Sequence, residues 1–280
     1  MRHAYGYPLR AVFLPWCADH SITEASQLTG RVLDQFVGDL LEHGGKRGPL
    51  SKHTAWSYAK AAKGLVAWAR GEGEKIEGDV TVPKLPKKLV EVLSREEIQQ
   101  LEDAATSERD GLIIRLLADT GIRVGELVQL RLRDVAERDR DPFLKIRGKG
   151  DRERLVPVSP ALYRRLTRYA ERQRPKDTNS ERLFLSRRRS RTTGDYDALT
   201  ESGVQQLVRD LDERAGIQKR VHPHVFRHSA ATHMLRRGMN PLLVTQVLGH
   251  TSLAMIQQVY AHLTPTDAHQ ALMAALRQEQ

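Results

Sequence analysis

From Thr23 onward the apolar positions recur at helical spacing. Leu28, Val32, Phe36 and Leu40 fall four apart, with Leu33, Val37 and Leu41 beside them. One face of a helix with 3.6 residues per turn repeats in this way, so the pattern predicts a helix that stops at Gly44–Gly45. Ser51 is a fair N-cap for a second helix through Tyr58, Ala62, Leu65, Val66 and Ala69, ending near Gly71. Its other face carries Lys52, His53, Lys60 and Lys63, read either as a solvated face or as a phosphate-contacting one. Residues 1–20 hold tyrosines, prolines and Trp16 without a clear period, and are expected to form an irregular arm or a short strand-like lead-in.

Residues 71–92 are rich in Gly, Pro and charge and show no helical stripe, which marks a boundary. Its later part, 81–92, reads as an extended basic linker containing Lys84, Lys87 and Lys88. It would separate a helical domain over 1–80 from a second domain over 93–280.

The second domain opens on Ser94 and Glu97, the S-x-x-E spacing of a capping box. Leu112–Asp119 is strongly apolar and predicts a buried helix ending at Thr120–Gly121. A short helix from Val124 carries Leu127 and Leu130. Residues 143–146 and 154–158 alternate as the strands of a hairpin, joined by a turn from Arg147 to Arg152 that contains two glycines. A helix from Pro160 to about Arg172 follows, then a polar loop over 174–200 with an apolar island at Leu183–Leu185 and the run Arg187-Arg188-Arg189-Ser190-Arg191. That run is read as a solvated loop or as a nucleic-acid contact. Helices are expected over Ser202–Ala215, His224–Arg237 and Asn240–Leu248, closed by Gly216, Gly238 and Gly249. Two more follow, one capped by Ser252 and one over Thr266–Arg277. The fold class is therefore mainly α with a small antiparallel β-hairpin or sheet.

Charge then narrows the partner. The 280 residues carry 45 Lys+Arg against 35 Asp+Glu, a net charge of +10, which favours a polyanion such as nucleic acid. Cys17 is the only cysteine, so disulfides and cysteine-based metal sites are excluded. No apolar run reaches the roughly 18–20 residues that span a bilayer, and the N-terminus lacks the apolar core of a signal peptide. The chain is expected to be cytoplasmic.

The polar inventory suits attack on a phosphodiester without a metal or cofactor. Two guanidiniums can meet the charge that grows on non-bridging phosphate oxygens. A lysine can protonate the leaving oxygen, a tyrosine can attack, and a histidine can assist it. Taken singly, each residue has an ordinary alternative: Arg123 a surface arginine, Lys149 a turn lysine, Tyr260 a core tyrosine. His224 and His228 have metal-ligand spacing, but no H-E-x-x-H, cysteine or carboxylate cluster adjoins them, and zinc is rejected.

Taken together they are more specific. Arg123 lies in TGIRVGELVQL, Lys149 in RGKGDRER, His224 and Arg227 in HPHVFRHSAATHML, His250 in LLVTQVLGH and Tyr260 in TSLAMIQQVYAHLT. In this order and spacing the chain resembles the tyrosine recombinase (phage integrase) family, richly over 94–265 and more weakly over 23–71. The resemblance implies a two-domain DNA clamp, with a helical core-binding domain and an α+β catalytic domain. It implies that Arg123 and Arg227 clamp the scissile phosphate, that Lys149 is the general acid, and that His224 is the acid/base partner of Tyr260. His250 would hydrogen-bond the phosphate, and Glu126 would support the site. Tyr260 would form a 3′-phosphotyrosine. Phe226 stands where the family commonly has leucine.

The resemblance further implies a site-specific recombinase acting on double-stranded DNA with paired inverted-repeat sites. It would assemble as a tetramer and exchange strands through a Holliday junction, without ATP, with or without a partner recombinase or accessory protein. About 90 residues precede the catalytic part, which points to a simple Xer-like recombinase or a small mobile-element integrase. Lys52, Lys60, Lys63, Lys84, Lys87, Lys88, Arg147 and Arg152 are DNA-binding candidates. The alternatives are a type IB topoisomerase-like relaxing enzyme and a non-catalytic DNA-binding protein.

Overall fold

The computed structural model describes residues 2–44, 49–85, 91–148, 153–249 and Met273. The chain divides into two compact units, 1–88 and 89–280.

The first unit is helical from its start. Helix α1 (Arg2–Pro8) runs through a π-helical turn (Leu9–Phe13) into α2 (Leu14–Asp19). This corrects the expected irregular arm. Leu9, Phe13, Trp16 and Cys17 keep helical spacing, which the prolines disguise. Pro8 ends the first helix and Pro15 sits in the first turn of α2, where a missing N–H costs little. Phe13 and Cys17 are buried, and the Trp16 indole N–H donates to Asp39 Oδ2 at 2.8 Å.

Helix α3 (Gly30–Glu42) begins later than expected. Thr29 caps it by accepting from the Val32 N–H at 3.4 Å, and a short 3₁₀ turn (Ala25–Gln27) occupies the preceding stretch. Leu33, Phe36, Val37 and Leu40 face Ala55, Ala59, Ala62 and Val66 of α4 (Lys52–Gly71), which Ser51 caps as expected. The boundary stretch is packed over its first part. Ile76 and Val80 are buried in this core, Lys63 donates to Asp79 at 2.9 Å, and the Gly78 N–H donates to Leu28 O.

The second unit wraps helices around α6 (Glu108–Thr120). Before it, α5 (Arg95–Asp103) carries the expected capping box: Ser94 Oγ accepts from the Glu97 N–H, and Glu97 Oε2 accepts from the Ser94 N–H. Leu112, Ile113, Ile114, Leu116 and Leu117 are fully buried. Gly121 ends α6 in the left-handed conformation at φ +62°. Helix α7 (Val124–Gln129) follows.

The hairpin is the larger part of a three-stranded antiparallel sheet, β1 (Val135–Arg138), β2 (Asp141–Arg147) and β3 (Glu153–Pro157), in that spatial order. Strand β1 was not expected. It is short and polar, and its turn to β2 uses Asp139 and Arg140 at φ +54° and +69° with no glycine to announce it. Between β2 and β3, Phe143 pairs with Pro157 and Arg147 with Glu153.

Helix α8 (Pro160–Arg168) ends in a second π-helical turn (Tyr169–Gln173). The expected loop over 174–200 instead contains a bulged hairpin, β4 (Leu185–Arg189) and β5 (Tyr196–Ala198). Arg187 there pairs with fully buried Asp110 of α6. Arg189 pairs with Asp177 and lies 5.0 Å from the Tyr196 ring centre, so part of the basic run is neutralised within the fold. Helices α9 (Glu201–Ala215), α10 (Pro223–Arg236) and α11 (Pro241–Leu248) complete the described part. Helix α10 packs on α6, α9 and α11, and Phe226 is fully buried on it. The Leu93 N–H donates to Ser229 Oγ and His233 Nε2 meets Leu93 O, both at 2.8 Å, so α10 also holds the entry to this unit. The helices expected from Ser252 and over Thr266–Arg277 lie outside the described residues, apart from Met273, which is helical.

Candidate active site

Of the residues nominated from the sequence, Arg123, Glu126 and Arg227 meet where α6 turns into α7 and where α11 ends. Arg123 is the N-cap residue of α7, and its backbone N–H donates to Glu126 Oε2 at 2.8 Å. Its half-exposed guanidinium donates to Glu126 Oε1 at 3.1 Å and to the Gly249 carbonyl at 3.2 Å. Arg227 projects from α10 and is buried, donating at 2.6 Å to both the Gly121 and Leu248 carbonyls. Burial, then the positive charge of Arg123, pushes its pKa down to about 9; Glu126 opposes the shift. The guanidinium therefore stays charged at neutral pH in a desolvated place.

Arg154 is one residue that sequence reasoning missed. Its Nη1 and Nη2 donate to the two oxygens of Glu126 at 2.8 and 2.9 Å, and its Nε donates to the Val247 carbonyl at 2.9 Å. A signal existed. Strand side chains alternate, so Arg154 shares the inward face of β3 with buried Val156, while Leu155 points to solvent. Burial alone would raise the Glu126 carboxyl. The Arg154 hydrogen bonds, the Arg123 N–H and both positive charges outweigh it and hold the pKa below the usual carboxylate range.

The last carbonyls of a helix have no partner within it. At the end of α11 three consecutive ones are taken by three arginines: Val247 by Arg154, Leu248 by Arg227 and Gly249 by Arg123. The negative end of the helix dipole helps to hold these cations together. Gly249 is left-handed at φ +67°, and a Cβ there would stand 2.8 Å from the Arg154 guanidinium carbon.

These groups line a cleft of about 1250 Å³ within the second unit. Six arginines (123, 147, 154, 209, 220 and 227) against three glutamates (126, 153 and 201) line it, so the cleft is positive and suited to a phosphate. His224, exposed in the first turn of α10, lies on its wall with His222, their ring centres 6.3 Å apart. Gln205, Arg209, Arg220 and His222 were not nominated from the sequence. Among the described residues, no three His, Cys, Asp or Glu side chains converge as metal ligands do. Gly148 and Gly249, the chain neighbours of Lys149 and His250, also line the cleft. Lys149, Arg152, His250 and Tyr260 themselves lie outside the described residues.

Of the DNA-binding candidates, Lys52, Lys60 and Lys84 are exposed, and Lys60 sits 4.8 Å from the Trp56 ring centre. Lys63 is engaged by Asp79. Arg147 lines the cleft but approaches Glu153 at 3.4 Å and Asp134 at 3.9 Å. Lys87 and Lys88 lie outside the described residues. No helix among the described residues is long and apolar enough to cross a membrane.

Residues 91–267 match the phage integrase family. The chain is 35% identical to the tyrosine recombinase XerA of Pyrococcus horikoshii over 205 residues, 73% of this chain and 66% of that one. It is 30% identical to the tyrosine recombinase XerD of Corynebacterium glutamicum over 265 residues, 90% of this chain and 84% of that one. Among solved structures, a XerA recombinase superposes with a TM-score of 0.57 at 30% identity, covering 97% of this chain and 90% of that one. A XerH recombinase bound to its palindromic difH substrate superposes with a TM-score of 0.74 at 23% identity, covering 99% and 80%. With the family match spanning most of the second unit and relatives aligned along most of both chains, this protein belongs to the phage integrase family of tyrosine recombinases.

Proposed function

We propose that this protein is a site-specific DNA recombinase that cuts and rejoins double-stranded DNA through a 3′-phosphotyrosine, without metal or ATP. The observation that carries the reading is the pairing of Arg123 and Arg227 at one end of a positive cleft, each fixed by backbone carbonyls before any substrate arrives. Donors already in place stabilise charge that develops in the transition state without a reorganisation cost. In this reading the two arginines hold the non-bridging oxygens of the scissile phosphate. Tyr260 attacks phosphorus and displaces the 5′ oxygen, which Lys149 protonates. His224 exchanges a proton with Tyr260, and His250 donates to the phosphate. Glu126 keeps Arg123 in place. The new phosphotyrosine bond conserves the energy of the old linkage, so a 5′ hydroxyl from a second duplex can reverse the step and complete the exchange.

The unit over 1–88 then acts as the DNA-binding half, and two rounds of exchange by four protomers pass through a Holliday junction. The names of the relatives, recombinases throughout, favour this reading over a relaxing enzyme or a non-catalytic DNA-binding protein. Covalent capture tests it. The protein and a Tyr260→Phe variant are incubated with nicked duplexes of randomised arms, then denatured. The expected result is a protein–DNA adduct that forms in EDTA and is lost in the variant. An adduct that persists without the tyrosine hydroxyl sinks the mechanism.

A further inference from the structure

The geometry points to Arg154 as a positioning residue that acts through Glu126 to set Arg123 for the phosphate. The inference rests on the recombinase reading only for the identity of that phosphate.

Three nitrogens of one guanidinium are committed. Two grip both oxygens of Glu126, and the third reaches the Val247 carbonyl. A bidentate arginine–carboxylate pair fixes the plane of the carboxylate as well as its place. Glu126 must be so fixed, because the same two oxygens receive Arg123, one from its backbone N–H and one from its side chain. Arg154 therefore determines where Arg123 starts from. It also joins three segments distant in the chain: strand β3, the first turn of α7 and the last turn of α11.

Arg154 lines the cleft but is largely covered. Its side chain is only 15% exposed, against 43% for Arg123. Every nitrogen facing its neighbours already donates. Gly249 leaves no room for a side chain against it, so the guanidinium is wedged where a Cβ would go. The two roles are thus separate: Arg123 is the more exposed cation, and Arg154 is the largely covered brace behind it. A lysine could keep the charge but not the fork, because an ammonium is a point donor.

The test uses the full chain and two readouts. The first is affinity for inorganic phosphate, followed by thermal shift, which needs no chemistry. The second is the single-turnover rate of adduct formation on captured DNA. Arg154→Met, Arg154→Lys, Glu126→Gln and the double variant Arg154→Met/Glu126→Gln are compared with the unaltered chain. We expect Arg154→Met to weaken phosphate about tenfold and slow adduct formation about 100-fold, on the scale of one lost oriented donor. Arg154→Lys should recover thermal stability but not the rate. The double variant should lose no more than the single ones, because residues acting in series are not additive.

Should Arg154→Met fold poorly, Arg154→Lys against Glu126→Gln carries the same comparison. Unchanged phosphate affinity, losses that multiply in the double variant, or full rate recovery by lysine would each overturn the inference. If the unaltered chain forms no adduct while Arg154→Met still loses phosphate affinity, the recombinase reading fails and the brace stands.

Discussion

Arg227 Nη2 donates to the Leu248 carbonyl at 2.6 Å, so the buried arginine of α10 closes the C-terminus of α11. Its other terminal nitrogen holds the Gly121 carbonyl, the residue at which α6 ends. One side chain thus fastens two helix ends. Arg227→Ala is expected to slow adduct formation by about 10²–10³, the usual cost of one oriented donor to developing charge. Single-turnover kinetics on captured DNA checks this, and a rate within threefold of the unaltered chain would exclude Arg227 from the phosphate site.

Glu126 should contribute a pH-dependent part of the stability. Its pKa is depressed in the folded protein, so its contribution is fully present above the unfolded value of about 4.3. That contribution is lost as the pH falls through the lower folded pKa. Melting of the unaltered chain and of Glu126→Gln from about pH 7 down to about pH 3 should show a Tm gap that narrows towards acid. A constant gap would mean that the carboxylate is not held by Arg154 and Arg123 as described.

Gly121 is confined by conformation and by space. At φ +62° a side chain is strained, and a Cβ would stand 2.5 Å from Leu248 Cδ2 and 3.0 Å from Ala230 Cβ. Gly121→Ala should destabilise the protein by about 1–2 kcal/mol from the backbone alone. It should also displace the carbonyl that Arg227 uses. Urea unfolding gives the first effect and phosphate affinity the second.

Asp110 braces the β4–β5 hairpin rather than the cleft. It is fully buried and accepts from Arg109 at 2.6 Å and from Arg187. Burial would raise its carboxyl, but these two arginines hold it below the usual range. Asp110→Ala leaves their charges uncompensated and is expected to cost about 3 kcal/mol. Adduct formation per folded molecule should be nearly unchanged. Melting temperature and active-site titration together separate the two effects.

The lysines of the first unit should divide into two groups. Replacing Lys52, Lys60 or Lys84 by Gln should each reduce the salt slope of DNA binding by about one, as expected when one phosphate contact is lost. Lys63→Gln should leave the slope alone and lower the melting temperature, because Lys63 is bound to Asp79. Fluorescence anisotropy over a salt series decides it residue by residue.

Much of this protein was determined by its sequence alone. Ser51 and Ser94 begin helices, and Gly121, Gly216 and Gly249 end them in the left-handed conformation, because caps depend on atoms a few positions apart. The pairing of β2 with β3 follows from alternation. The motif order from Arg123 to Tyr260 was enough to recognise the family. Where local signals were weak or misleading, the reading failed. Prolines disguised the N-terminal helices, a glycine-free turn disguised β1, and a polar stretch disguised β4 and β5.

Only the tertiary structure decided how the arginines of the cleft are held. Arg154 and Glu126 are 28 positions apart, Arg154 and Val247 are 93, and Arg123 and Gly249 are 126. No periodicity links residues at such distances. Their meeting depends on how β3 and α11 pack around α6 and α7, and a buried carboxylate with paired arginines is stable only once that packing has excluded water.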